Sequence, residues 1–159
     1  MFVFDTDIIS AFAKANALPE LSKMLGKIHI SKSVYQELKI AEQYGYNYPS
    51  EIFSLSEIIE LDEKELEIYN HLIYENKILG KGELQTLVIC KNRDFWFSSF
   101  DKTAINFAKE NGIKVFLGKT ILRKFWEDKI CSVERVKEIV KLIEEKDNRE
   151  LEIEGVFKE

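Results

Sequence analysis

The sequence predicts a three-layer α/β/α fold built on a central, mainly parallel sheet, and three observations carry that expectation. Short apolar runs, Phe2-Val3-Phe4, Ile28 to Ile30 and Phe95-Trp96-Phe97 among them, alternate with stretches whose apolar residues recur at helical spacing. No two-residue turn of the Asn-Gly kind joins two such runs, so the strands have to be connected through helices, as in βαβ units. One segment, Leu84 to about Lys91, is apolar over most of its circumference, as expected of a central helix covered on all sides.

Taken in order, Phe2 to Phe4 reads as a strand ending at Asp5, and Ile8, Ile9, Phe12 and Ala13 place a helix behind it. Residues 18 to 25 form a second short helix, with Pro19 tolerated in its first turn, before a strand at Ile28 to Ile30. Ser31 is a good N-cap for a helix carrying Val34, Tyr35, Leu38 and Ile40, and this helix brings Glu37 with it. Gly45, Asn47, Pro49 and Ser50 break the pattern into a loop, followed by an extended piece around Ile58 to Leu61 and a helix from Asp62 to roughly Glu75. The acidic segment from Glu57 to Glu67 reads as a solvated helix face.

Gly80-Lys81-Gly82-Glu83 opens the buried helix, and the aromatic run Phe95 to Phe97 has strand propensity. A helix holding Ala104, Ile105, Phe107 and Ala108 ends at Gly112, where a C-cap belongs, and Lys114 to Leu117 reads as one more strand. Helices at Thr120 to Trp126 and at about 132–147 complete a single domain spanning all 159 residues.

Composition narrows the function classes. A net charge of −5 argues against a broad basic surface that coats nucleic acid, but not against a local groove. Phe2-Val3-Phe4 is too short for a signal peptide and no later run could span a bilayer, so a cytoplasmic protein without membrane contact is expected. Cys90 and Cys131 lack CxxC spacing, and His29 and His71 have no partner at ligand spacing, which argues against a soft-metal site.

In parallel sheets, functional groups collect at the carboxyl ends of strands, and Asp5 and Asp101 both fall at or just past such ends. Glu37 on an early helix and Glu83 at the start of the buried helix complete an acidic set whose convergence spacing alone does not show.

Here the chain resembles the PIN-domain family, along nearly its whole length. Val3-Phe4-Asp5-Thr6-Asp7 looks like the family's opening, Ser31 to Leu38 its strand-to-helix segment ending in Glu-Leu, Leu79 to Leu84 its glycine-acid signature, and Ser99 to Ala104 its final acid and helix. The last helix is similar to that of prokaryotic members, which include VapC-like toxin ribonucleases. The resemblance implies that Asp5, Glu37, Glu83 and Asp101 form a catalytic acidic quartet, with Asp5, Glu83 and Asp101 as ligands of Mg²⁺ or Mn²⁺. It also implies RNA as substrate, an antitoxin protein as partner and a homodimer, for which Phe12, Leu18 and Leu21 are candidate contacts. Four carboxylates brought together repel, and a dication relieves that repulsion while activating water toward a phosphodiester.

Two positions depart from the family pattern: Asp7 replaces a small uncharged residue and Phe100 replaces a further acid, which puts a second tightly bound metal in doubt. Thr6 and Asp7 are candidate accessory groups, and Lys81, Lys102 and Lys119 candidate phosphate contacts. Each acid also has an ordinary reading, helix capping for Asp5, Glu83 and Asp101 and a solvated helix face for Glu37. A non-catalytic PIN-fold RNA-binding or interaction module is the main rival. Asp5-Thr6-Asp7 keeps a haloacid-dehalogenase-like phosphatase as a remote one, although Ile9 breaks that pattern. Gly118-Lys119-Thr120 lacks the spacing of a Walker motif.

Overall fold

Strand β1 (Phe2–Phe4) takes the middle of the sheet because it is apolar on both faces: Val3 enters one core and Phe4 the other. The computed structural model describes residues 1–159. After β1 come α1 (Thr6–Lys14), α2 (Leu18–Leu25), β2 (Ile28–Ser31), α3 (Lys32–Gln43), α4 (Tyr48–Leu55), β3 (Ser56–Ile59) and α5 (Glu63–Glu75). Then follow α6 (Lys81–Arg93), β4 (Trp96–Ser98), α7 (Lys102–Glu110), α8 (Gly118–Glu127) and α9 (Val133–Lys146).

All strand pairs are parallel, in the order β3-β2-β1-β4. Phe2, Val3 and Phe4 lie opposite Trp96, Phe97 and Ser98, so β1 and β4 end level with each other. On one face, α1, α2, α3, α4, α8 and α9 enclose a core that includes Phe4, Phe12, Ile30 and Phe125. On the other, α5, α6 and α7 enclose Val3, Leu84, Leu87, Phe97 and Ala104. This is the three-layer α/β/α arrangement expected. The all-round apolar helix is α6, with Leu84, Leu87, Val88, Ile89 and Cys90 buried, and burial pushes the Cys90 thiol up to about 12. No helix is long and apolar enough to cross a membrane.

Four local expectations need correction. Residues 48–55 form a helix instead of continuing a loop: Pro49 sits in the first turn, where its missing N–H costs nothing, and Pro49 and Ile52 are buried. Lys114 to Leu117 makes only one bridge, Val115 beside Phe97, with Phe97 N–H donating to Lys114 O at 2.8 Å and Phe116 N–H to Phe97 O at 2.8 Å. That edge is too short to count as a strand. Phe12, Leu18 and Leu21 are fully buried in the chain's own core, so they offer no surface to a second copy.

The fourth concerns Glu57 to Glu67. Glu57 lies in β3, and Glu65 is completely buried while still ionised. Burial pulls its carboxyl upward, but hydrogen bonds from Arg93, the Asp62 amide and Asn92 outweigh it and hold it below its ordinary value. Arg93 Nη2 lies 2.7 Å from Oε1 and Nε 3.0 Å from Oε2, a two-pronged grip that ties α5 to α6. Asp62 and Glu65 also form a capping box. Replacing Arg93 by Met should strand the Glu65 charge and lower unfolding free energy in urea by about 3 kcal/mol. An unchanged midpoint would show that Asn92 and the Asp62 amide suffice.

Candidate active site

The chain leaves β1 toward β2 on one side, whereas β4 adds on the other, so the crevice beyond the ends of β1 and β4 is the switch point of the sheet. Asp5 and Ser99 are the first residues past those two strands, and Asp5 N–H donates to Ser98 O at 2.9 Å. Asp5 is buried at the N-cap of α1, where Oδ1 accepts from Thr6 N–H at 2.8 Å and Oδ2 from the Ser99 hydroxyl at 3.0 Å. Asp101 caps α7, accepting from Thr103 N–H at 3.0 Å. The capping readings of Asp5 and Asp101 therefore describe real bonds, each of which leaves carboxylate capacity over.

Ser99 is a hub that the sequence reading missed. Its Oγ lies 3.0 Å from Asp5 Oδ2 and 3.2 Å from Asp7 Oδ1, and it accepts from Asp101 N–H at 3.0 Å. The available signal was its place at the end of β4, the same rule that singled out Asp5. Asp7 accepts from Phe100 N–H at 3.2 Å, so this extra carboxylate clamps the turn between β4 and α7. Glu37 reaches in from α3 and accepts from the Thr6 hydroxyl. Gly82 makes room for it: a Cβ there would stand 2.6 Å from Glu37 Oε1.

Glu83, in the first turn of α6, is a close neighbour of Asp101, and a bond between the two carboxyl groups, which only a proton can bridge, favours the protonated form of Glu83. Its Oε2 is buried with no partner. Burial first, then Asp5, the bond to Asp101, and the charges of Asp101 and Asp7, push Glu83 up to about 8. Asp5 is pushed up to about 7 by burial and by Asp7, with Glu37 adding to it and Thr6 and Ser99 opposing. Asp7 is raised by burial, against bonds from Phe100 and the nearby Arg149 guanidinium.

All four quartet members and Asp7 thus sit in one connected cluster. Lys81 and Lys102 open α6 and α7 as exposed first residues; Lys102 and Lys119 line a cavity beside Ser99, whereas Lys81 does not. Phe100 is packed against Phe12 and Gly118, where a Cβ would come within 2.4 Å of its ring, so position 100 offers no ligand.

The donors suit a hard dication. Carboxylate oxygens are the ligands Mg²⁺ and Mn²⁺ prefer, and the orphaned Glu83 Oε2 is a buried acceptor that lacks a positive partner. No three of these side chains are yet drawn onto one point.

A family description of the PIN domain matches residues 1–152. The chain belongs to the PIN-domain family. PIN domains are generally nucleases, they bind RNA and they typically use divalent metals, which agrees with an all-oxygen acidic cluster. The match removes the haloacid-dehalogenase-like alternative. No curated protein matches the sequence.

Two expectations follow for this PIN domain. Gly82→Ala replaces a glycine in the first turn of α6 by a better helix former, which favours folding by at most about 0.5–1 kcal/mol, but it displaces the Glu37 carboxylate. Divalent-ion affinity should therefore fall while the melting temperature holds or rises; unchanged affinity would detach Glu37 from the ion. Second, Asp5 and Glu83 keep protons up to about 7 and 8 in the folded state, whereas unfolded carboxyls lose them near pH 4. The folded chain binds more protons across that window, so with chelator present stability should decline as pH rises from 5 to 8.5. Mn²⁺ should flatten the decline, and a flat profile in chelator would contradict the raised values.

Proposed function

We propose that this chain is a divalent-metal-dependent endoribonuclease that hydrolyses RNA phosphodiester bonds, and that it serves as the toxin of a toxin–antitoxin pair. The observation that carries the nuclease reading is the buried, unpartnered Glu83 Oε2 within a cluster of five carboxylates at the switch point of a PIN domain. Glu20 also keeps one buried oxygen without a donor, but its other oxygen is paired with Arg135 at 2.8 Å, whereas Glu83 makes no ion pair and is surrounded by other acids.

On this reading Asp5, Glu83 and Asp101 hold the ion, and Glu37, fixed by Thr6 and given space by Gly82, orients the attacking water. The ion, Mg²⁺ or Mn²⁺, supplies Lewis acidity toward water and the scissile phosphate. Ser99 and Asp7 keep Asp5 and the β4–α7 turn in place. Exclusion of Phe100 from the cluster supports a single tightly held ion. The toxin role, with an antitoxin protein as partner and dimerisation of the chain, is supported by the resemblance of the acidic segments and last helix to VapC-like toxins. A cytoplasmic setting fits that role.

A non-catalytic RNA-binding module remains the second reading, favoured by the open arrangement of the acids. Incubation of pooled structured and single-stranded RNAs with Mg²⁺ or Mn²⁺ separates the two. Asp5→Asn and Asp101→Asn should each cut cleavage by more than the roughly 10–100-fold that loss of an outer-shell partner costs. Wild-type expression should also arrest growth of a bacterial host, and Asp5→Asn should not. Cleavage that survives both substitutions would remove the assigned site, and a folded, ion-binding wild type that cuts none of the pool would favour the second reading.

A further inference from the structure

A cavity of about 200 Å³ opens beside the acidic cluster, sharing Ser99 with it and closed on its far side by the segment after α9. We propose that this cavity receives one unpaired nucleobase of the bound strand, and that it favours a base carrying an exocyclic amino group over uracil. The inference rests on the nuclease reading for the identity of the strand as RNA.

The volume comes first. Pockets for whole small molecules begin at roughly 300 Å³, so this one suits a single ring system, and a base can enter it only when unpaired and unstacked. The lining is what a base needs. Ile105, Leu117, Leu122 and Leu151 supply apolar wall, and the Arg149 guanidinium lies 4.7 Å from the Phe100 ring centre, making a flat cationic surface backed by an aromatic one. Unpaired bases stack on such guanidinium and aromatic planes. Lys102 and Lys119, also in the lining, suit the phosphates that accompany the base.

Glu150 and Glu152 line the same cavity. They would be out of place in a site for phosphate alone. Carboxylates are acceptor-only, and the base edge that suits them is an amino group, as when Glu or Asp accepts from cytosine N4. Uracil presents a carbonyl oxygen at that position and would be repelled.

The wall that carries these residues is held at both ends. Asp147 pairs with Lys14 at 2.9 Å and accepts from Arg149 Nε at 3.0 Å; further on, Val156 is buried and its carbonyl accepts from Trp126 Nε1 at 2.7 Å. The tail is therefore a preformed side of the pocket, which spares a ligand the cost of ordering it.

CMP and UMP, equal in size and charge, provide the test. The full chain, with chelator present, is titrated with each while methyl resonances of Ile105, Leu122 and Leu151 are followed by NMR. The expected result is saturable shifts at these methyls, with CMP bound about fivefold or more tighter than UMP. In the chain carrying E150Q and E152Q, two exposed changes that spare the core, the preference should shrink to within about twofold, because a glutamine amide can donate to the uracil carbonyl as well as accept from the cytosine amino group. Equal binding of CMP and UMP by the wild type, or no shift at these methyls with either, overturns the proposal. RNA cleavage is scored separately with Mn²⁺: pocket binding with the CMP preference but no cleavage sustains the pocket and removes the nuclease reading, and cleavage without pocket binding does the reverse.

Discussion

Repulsion among carboxylates is the interaction on which the rest of this structure depends. Burial raises the proton affinity of Asp5, Asp7 and Glu83 by removing water, and neighbouring acids add to it: Asp7 and Glu37 at Asp5, and Asp5, Asp101 and Asp7 at Glu83. Such a cluster survives only on a frame that fixes each acid independently of the others. The frame here is made of helix starts and strand ends: Asp5 caps α1, Asp101 caps α7, Glu83 sits in the first turn of α6, and all three use backbone geometry that apolar packing elsewhere has already settled. Positive helix ends offset some of the crowded charge.

The energetic cost concentrated there is balanced by ordinary packing. Two cores sandwich a short sheet, and β1 contributes a side chain to each, so the strand that delivers Asp5 is held from both faces. Glu65 offers an instructive contrast. It is as buried as any acid in the chain, yet Arg93, Asn92 and a helix-capping amide satisfy it, and its carboxyl moves down. Glu83 is raised and keeps an orphan oxygen. The same side chain type, at two helix starts on the same side of the sheet, has been completed by the protein in one place and left incomplete in the other.

Much of this was legible in the sequence, for physical reasons that also mark where legibility stopped. Strands and helices with a clear period, such as β1, α5 and α6, follow from local pattern, and the end-of-strand rule located Asp5 and Asp101. Glu37 and Glu83 were reached through the PIN-domain resemblance, since no local signal says that two helices from different crossovers meet at Gly82. The helix at 48–55 was hidden by Pro49, a breaker by propensity that becomes harmless in a first turn. Glu65 looked like solvated surface because its partner Arg93 lies 28 residues away. Ser99 opened a family segment without being given a role in it and Arg149 carried no motif; one is defined by three bonds to other acids and their amides, the other by a tail folding back onto Phe100.

The central claim is that these acids are held for a dication, and proton counting tests it most directly. Calorimetric titration of Mn²⁺ into the chain at pH 7, repeated in buffers of different ionisation enthalpy, gives the protons released per ion bound. Because Asp5 titrates at about 7 and Glu83 at about 8 before the ion arrives, binding should expel about one proton, and Asp5→Asn should weaken binding and reduce that number. An absence of binding, or tight binding that releases no proton, would contradict the account.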